Sequence, residues 1–421
     1  ERLGDVLRSE LEKAQMSELY YEIELPLCEV LASMEVTGVM VDCEGIKSFG
    51  ESLDVDIESL KSEIYELAGH EFNISSPKQL GTVLFEELGL PAGKKTKSGY
   101  STGAEILEGL ANVHPIINPI LEYRTLTKLK STYVDGLLAV VCPDGRVRSE
   151  FKQTETRTGR ISSANPNMQN IPVRKEIGSN MRKFFVAAKG RELVDADYSQ
   201  IELRVLASMC GDKNMISTFL SGTDIHTRTA SQVFGVPEEL VDADMRRAAK
   251  AVNFGIIYGI GAFSLSKDIN VSVAQADRYI KSYLAGFPSV DRFMKDTVEF
   301  AENNGYVKTL FGRRRYIPEL KSSNKNLQAF GRRAAMNAPI QGTAADIIKI
   351  AMIRVWRKLK EENLDARLIL QVHDELIVEA SEECAKRAAE LLSQEMESAV
   401  KLSVPLTADV NIGRSWYDAK G

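Results

Sequence analysis

The sequence predicts an α+β protein. Short β-forming runs fall in two groups far apart in the chain, at 146–151, 184–187 and 193–197, and again at 367–372 and 376–379. Between them, residues 213–303 carry helical periodicity. The texture of the sequence changes to these short runs from about residue 145. An antiparallel sheet split in sequence by a helical insertion fits that order.

The helices before the sheet come in turn. Residues 1–35 read as helix. Residues 44–70 read as one amphipathic helix, with Ile46, Phe49, Leu53, Ile57, Leu60, Ile64 and Leu67 spaced by three and four. Ser75-Ser76-Pro77 supplies an N-cap and a proline at the first helical position, opening a helix that runs to about Leu88. A loop at 90–102 holds Pro91, Lys94, Lys95 and Lys97, and a helix carrying Leu121, Leu126 and Leu129 follows. Residues 78–130 contain seven Lys/Arg against five Glu, in a chain of net charge −6. That surplus is either a solvated helical face or a helical arm that grips a phosphate backbone.

Bulk composition narrows the class. At roughly 100–200 residues per unit, 421 residues make two to four compact units. With 44% hydrophobic and 27% charged residues, the chain is not a disordered one. No apolar run approaches the ~20 residues of a membrane helix. The first twenty residues are charged, unlike a signal or transit peptide. Five cysteines, an odd number with no CxxC, argue against a disulfide framework or a thiolate zinc site. They point to a reducing, cytoplasmic compartment. The acidic net charge argues against a protein that coats nucleic acid, but leaves room for a basic groove.

Three constellations carry chemistry. In the first, the run 193–202, a short strand ends at Asp197, and Ser199 with Glu202 forms a capping-box pattern that starts a helix at once. A carboxylate at a strand end is exposed yet rigidly held, as a metal ligand must be. Alone, the segment reads equally as a strand–turn–helix with solvated acids. In the second, 367–379, two apolar runs flank His373-Asp374, with Glu375 beside them. Tight hairpins prefer Asn-Gly or Asp-Gly, so acids at this turn suggest a task. Asp197 and Asp374 can meet only if their strands are neighbours in one sheet. Magnesium takes one or two such carboxylates plus substrate phosphates.

The third constellation is the most specific. Arg246, Lys250, Phe254 and Tyr258 recur every four residues, so on a helix they form one stripe. Two cations followed by two aromatics match a nucleoside triphosphate laid lengthwise, phosphates against the cations and sugar and base against the rings. The plainer reading is an amphipathic helix with two solvated cations and two core aromatics. No GxxxxGK[ST] occurs, so the stripe is not a P-loop.

These segments resemble, in order and approximate spacing, motifs A, B and C of the family A DNA polymerases. The flanking runs 158–163, 165–172, 224–226 and 337–346 resemble that family too, and the likeness extends from about residue 22 to the end. It implies a right-hand fold: a lead-in at 1–43, a thumb at 44–140, a palm from 141–212 and 322–421, and fingers at 213–321. It implies that Asp197 and Asp374, with the backbone carbonyl of Tyr198, hold two magnesium ions, for which manganese can substitute. One ion lowers the pKa of the primer 3′-hydroxyl, and the other neutralises the triphosphate and the leaving pyrophosphate. Glu375 is implied as a catalytic accessory beside them.

The resemblance also assigns the deoxynucleoside triphosphate to Arg246, Lys250, His226, Gln200, Phe254 and Tyr258, with Lys250 a candidate proton donor to pyrophosphate. Glu202 is implied to close the floor under the sugar C2′ and so exclude a ribose hydroxyl. Arg160, Asn167, Gln169, Asn337, Gln341, Gln371 and His373 are implied to contact primer–template DNA. Arg333 and the loop lysines Lys94, Lys95 and Lys97 are further expected DNA contacts. Arg313-Arg314-Arg315 and Arg332 meet DNA phosphates or form ion pairs in solvent. The implied protein is a monomer that acts on primer–template DNA away from membranes. Only about twenty residues precede the resemblance, so no 3′–5′ exonuclease is expected in this chain. Glu202 and the form of motif B argue against a single-subunit RNA polymerase. The four residues Asp197, Asp374, Arg246 and Lys250 argue against a non-catalytic primer–template binding module. The triphosphate stripe has no role in a two-metal phosphodiesterase.

Overall fold

The computed structural model describes residues 2–92, 95–96, 99–171 and 179–420. Its centre is a four-stranded antiparallel sheet of β1 (Arg191–Tyr198), β2 (Ala366–Val372), β3 (Glu375–Ser381) and β4 (Ala408–Gly413). Their spatial order is β2-β3-β1-β4. The split in sequence is therefore closed in space. β1 pairs with β3 so that Glu375 faces Asp197, Ile377 faces Asp195 and Glu379 faces Leu193. Edge strand β4 was not among the expected runs. Its Val410 and Ile412 alternate with Asp409 and Asn411, the period-two mark of a half-exposed strand.

Eight helices matter for the site: α1 (Cys43–Ala68), α2 (Ile117–Leu129), α3 (Ile201–Cys210), α4 (Ile225–Phe234), α5 (Ala243–Ile257), α6 (Lys325–Glu361), α7 (Ala385–Glu397) and α8 (Trp416–Lys420). Helix α1 matches the expected 44–70 span. Asp42 caps it by accepting from the Gly45 N–H at 2.9 Å. Ser76 caps Pro77–Thr82 as its sequence foretells, and the helix continues as a wider turn over Val83–Glu87. Within the N-terminal 35 residues, the helix Arg2–Lys13 is followed by a second one that takes a wider turn over Leu19–Glu24 and runs on directly over Leu25–Thr37. Residues 64–120 build a small core of their own, around Ile64, Leu80, Leu84, Leu107 and Ile117, apart from the main core.

Alternation along β1 sorts its side chains between two faces. Tyr198 lies on the α7 side, where its hydroxyl donates to the Met396 carbonyl at 2.6 Å. Asp195 and Asp197, one residue out of step, lie on the other side with α8.

A buried ionic cluster ties the N-terminal pieces to α6. Asp346, fully buried, accepts from Arg313 at 2.6 Å and from the Thr309 hydroxyl at 2.8 Å. Lys349, 1% exposed, reaches Glu24 at 2.7 Å, and Arg313 also pairs with Glu24. Two acids balance two bases, so each charge is compensated inside a low-dielectric interior. Arg313 is thus neither a phosphate contact nor a solvated ion pair. Its neighbour Arg314 lies over the Tyr306 ring at 4.5 Å, and Arg332 pairs with Glu302 at 2.8 Å. Removing one member strands the others, which costs about 3–5 kcal/mol in buried pairs. Asp346→Ala should lower the unfolding free energy by about that amount in a urea titration.

Candidate active site

The turn between β2 and β3 has two residues, His373 and Asp374, and His373 adopts φ +55°. A non-glycine residue is uncommon there and needs support. Gln371 gives it: its side-chain amide donates to the His373 carbonyl at 2.7 Å and accepts from Gln169 Nε2 at 3.2 Å. Gln169 also donates to the Ile161 carbonyl at 3.1 Å, and Asn167 caps the 168–170 turn through the Gln169 N–H. Three expected DNA contacts, Asn167, Gln169 and Gln371, therefore spend hydrogen bonds on holding the turn.

The turn lands against the end of β1. The Tyr198 N–H donates to the Asp374 carbonyl at 3.1 Å, so Asp374 sits beside Asp197. Burial, and then the Asp197 charge, push the Asp374 carboxyl up to about 7. Asp197 Oδ2 accepts from Lys420 at 2.8 Å, whereas Asp197 Oδ1 is buried without a hydrogen-bond partner. Glu375 points behind the site. Its oxygens accept from the Trp416 indole N–H and from Lys420 at 2.6 Å. Burial works against its ionised form, but Asp195, Lys420 and Arg182 more than offset it and hold it below the usual carboxylate range. Asp195, 2% exposed, is pushed up to about 9 by burial and by Glu375.

Among the described residues, no three His, Cys, Asp or Glu side chains converge to ligate an ion by themselves. Two carboxylates, one with an orphaned buried oxygen, nevertheless suit magnesium, which completes its shell with water and substrate phosphates. Asp197 and Asp374 fit that requirement, while Glu375 is already engaged.

Helix α5 forms the facing wall. Asp242 caps it by accepting from the Met245 N–H at 2.8 Å. Ala249, Val252, Asn253, Ile256 and Ile257 supply its buried side. The stripe lies opposite: Arg246 and Lys250 are exposed, Phe254 is half-buried, and Tyr258 is 43% exposed. The rings of Phe254 and Tyr258 lie 6.4 Å apart and nearly parallel. These aromatics are therefore not core residues. The chain can turn directly after Tyr258 because Gly259 has φ +65° and a Cβ there would come within 2.5 Å of Met336.

The cations of the stripe differ in their freedom. Arg246 is held by Asp224 in a two-pronged pair, Nε–Oδ2 at 2.8 Å and Nη2–Oδ1 at 3.2 Å. Asp224 also caps α4 through the Thr227 N–H at 2.9 Å. Burial opposes its charge, but Arg246 and Thr227 keep it well below the usual carboxylate range. A phosphate that reaches Arg246 must compete with this carboxylate. His226, 2% exposed, sits on α4 with Nδ1 3.0 Å from Asn253 Nδ2, and burial lowers its pKa to about 4.

Glu202 corrects a local reading. Ser199 and Glu202 form no capping box: Gln200, at φ +56°, is the residue before α3 and makes no side-chain cap. Glu202 instead accepts from Arg160 at 2.7 Å and from the Tyr258 hydroxyl at 3.2 Å. Burial raises its pKa against the pull of those partners. A cavity of about 350 Å³ opens between these elements, with walls that include Arg160, Gln200, Glu202, Phe254, Tyr258 and Asp374.

On α6, Asn337 and Gln341 lie one turn apart, and Asn337 Nδ2 is buried without a partner. Arg333, exposed on the same helix, borders a wider groove with Lys250, Phe254 and Tyr258. Lys94, Lys97 and Pro172 lie outside the described residues, and Lys95 belongs to a short ribbon with 99–100. Sequence reasoning missed Lys420, Trp416, Arg182 and Asp195. Asp195 had a signal, since it sits two residues before Asp197 on a strand and so shares its face.

Residues 43–418 match the model of DNA polymerase family A. The chain is 52% identical over 420 residues to DNA polymerase I of Geobacillus stearothermophilus, covering 99% of this chain and 48% of that one. It is 49% identical over 405 residues to the thermostable DNA polymerase I of Thermus aquaticus, covering 96% of this chain and 48% of that one. The POL domain of Pol1 from M. smegmatis, solved in complex with DNA primer-template and dNTP, superposes with a TM-score of 0.94 at 42% identity, covering all of this chain and 74% of that one. The chain belongs to DNA polymerase family A, and it spans about half the length of the curated relatives it matches.

His226 makes stability depend on pH. Folded, it takes a proton only near pH 4; unfolded, near 6.5. Between those values the unfolded state binds more protons, so its contribution is complete above about 6.5 and is lost as pH falls towards 4. His226→Gln should flatten that arm of a urea-unfolding profile, by roughly 1.4 kcal/mol per pH unit at most.

Proposed function

We propose that this chain carries out template-directed DNA synthesis, joining deoxynucleotides to a primer 3′-hydroxyl and releasing pyrophosphate. The observation that carries the proposal is the β1–β3 register. It sets Asp197 against the 373–374 turn, beside a cavity lined by Asp374 and by Phe254 and Tyr258 of the α5 stripe. The M. smegmatis relative, solved with DNA primer-template and dNTP, supports the same reading.

In this proposal the thumb is 44–140, supported by the separate core at 64–120. The palm is 141–212 with 322–421, the fingers are 213–321, and 1–43 leads in. Asp197 and Asp374 would hold two magnesium ions with the Tyr198 carbonyl. When bound, such ions acidify an attacking hydroxyl and neutralise charge on the transferring phosphate. The remaining work falls to protein side chains. Lys250 binds the triphosphate and is positioned on the exposed face of α5 to protonate the leaving group. Arg246 exchanges its Asp224 partner for a terminal phosphate, which it can clamp with two parallel bonds. His226, neutral at pH 7, donates a hydrogen bond rather than a charge. Phe254 packs on the incoming sugar and Tyr258 on the base.

Glu202 presents an apolar-sided floor to C2′, and its ties to Arg160 and Tyr258 keep it from swinging aside to admit a hydroxyl. That feature disfavours a single-subunit RNA polymerase. Arg160, His373, Asn337 and Gln341 then meet the minor groove of the terminal pair, where acceptors look alike for every base pair. The protein works as a monomer at the DNA in a reducing compartment, which five unpaired cysteines support.

Primer extension tests the proposal. The wild-type chain should extend a primer in magnesium, and Asp374→Asn should lose roughly 10³-fold or more in rate, as the loss of several kcal/mol of charge stabilisation implies. A wild-type chain that does not extend overturns the reading. Phe254→Tyr should raise incorporation of dideoxynucleotides, read from termination bands. A hydroxyl placed beside the sugar can supply the hydrogen bond that a missing 3′-hydroxyl leaves unmade.

A further inference from the structure

The C-terminal helix α8 enters the site from behind. Lys420 Nζ lies 2.8 Å from Asp197 Oδ2 and 2.6 Å from Glu375 Oε2. It is 223 positions from Asp197 in sequence, and no motif draws attention to it. The helix that carries it is held firmly. Trp416 is 1% exposed, packs edge-on against Phe185 at 5.8 Å, lies under the Arg182 guanidinium at 4.1 Å, and donates its indole N–H to Glu375. Ser415 caps the helix through the Asp418 N–H at 3.2 Å, and its hydroxyl donates to the Asp418 carboxylate at 2.7 Å.

Two features decide what this ammonium does. It takes only one oxygen of Asp197. The other, Oδ1, is buried and has no partner. It also bridges two carboxylates that face each other across the β1–β3 pair, where like charges directly opposite repel. Without it, Asp197 would lose its side-chain tie to Glu375, and Asp374 would add its own repulsion from the turn.

We propose that Lys420 is a positioning residue for metal binding: by pinning Asp197 Oδ2 and Glu375 Oε2, it keeps Asp197 Oδ1 directed at a divalent cation. This inference rests on the polymerase reading given above. The opposing expectation is that the ammonium competes with the cation for Asp197. The unpartnered Oδ1 argues against simple competition, because the lysine leaves one oxygen of the carboxylate uncommitted. Groups that orient a ligand from behind typically change metal affinity by about 10–100-fold when removed.

The test uses the whole chain bound to a primer–template that ends in a dideoxynucleotide, with the matching dNTP, so that no turnover occurs. Mn2+ binding is followed by electron paramagnetic resonance for wild type, Lys420→Met and Lys420→Arg. Lys420→Met should weaken Mn2+ binding by about 10-fold or more, and Lys420→Arg should restore most of it. On an extendable primer, Lys420→Met should need correspondingly more Mg2+ for half-maximal rate, while its rate at saturating Mg2+ approaches wild type. Unchanged or tighter Mn2+ binding in Lys420→Met overturns the inference, and so does a rate that falls equally at every Mg2+ concentration. Should Lys420→Met melt well below wild type, Lys420→Gln is read by the same criteria. A wild-type chain that binds no Mn2+ and extends no primer overturns the polymerase reading itself. A wild type that does both, with Lys420→Met indistinguishable from it, overturns only the role of Lys420.

Discussion

The antiparallel pairing of β1 with β3 is the constraint on which the other functional geometry depends. It joins residues 191–198 to 375–381, with most of the helical insertion looped out between them. Because side chains alternate along a strand, a slip of one residue would carry Asp197 to the α7 side and turn Tyr198 towards Lys420. The register is defended on both faces. Tyr198 is fixed by its bond to Met396, and β4 pairs along the other edge of β1. The looped-out segment returns α5 to face the same turn. One pairing therefore sets Asp197 beside Asp374, at a cavity that Asp374 lines together with Phe254 and Tyr258, the aromatic end of the stripe.

Concentrating acids at that register has an electrostatic cost, which the fold meets from behind rather than in front. Asp195, Asp197 and Glu375 lie on the β1–β3 pair, and Asp374 lies in the turn that leads into β3. Two of them respond by holding protons more tightly, Asp374 up to about 7 and Asp195 up to about 9. Lys420 and Arg182 compensate the rest from the α8 side. Asp197 Oδ1 is left without a protein partner. The metal site proposed above needs that imbalance, and perturbed carboxyls at such places are a signature of function. The contrast with Glu24, Arg313, Asp346 and Lys349 is instructive. There two acids meet two bases in one cluster, no charge is left over, and the arrangement holds α6 against the N-terminal pieces.

The parts of this molecule that are legible in its sequence are those set by local periodicity. Helix α1 was readable because seven apolar residues recur at helical spacing, and Ser76 because its cap precedes a proline. The stripe of α5 was readable because four side chains on one helix face keep their neighbours whatever the tertiary context. Residues whose role depends on distant partners were not readable. Arg246 gave no hint of its pair with Asp224 twenty-two positions away. Gln371 and Gln169 stood as expected DNA contacts, and nothing local signals the bonds they make to each other and to the turn. Lys420 sits at the end of a five-residue helix too short to announce itself.

Glu202 shows how a correct local pattern can still mislead. Ser199 followed three residues later by glutamate is a genuine capping signal, worth about 1 kcal/mol to a helix start. A capping box asks the glutamate to reach back to a backbone N–H. Arg160 offers it a charged donor at 2.7 Å, and charge-assisted bonds are roughly twice as strong as neutral ones. The helix then begins without a side-chain cap, at Gln200 in a left-handed conformation. Local signals and global structure agree along most of a folded chain, and sites of function are where they part. At Glu202 the lost cap and the strained residue before it are the cost of aiming a carboxylate into the cavity.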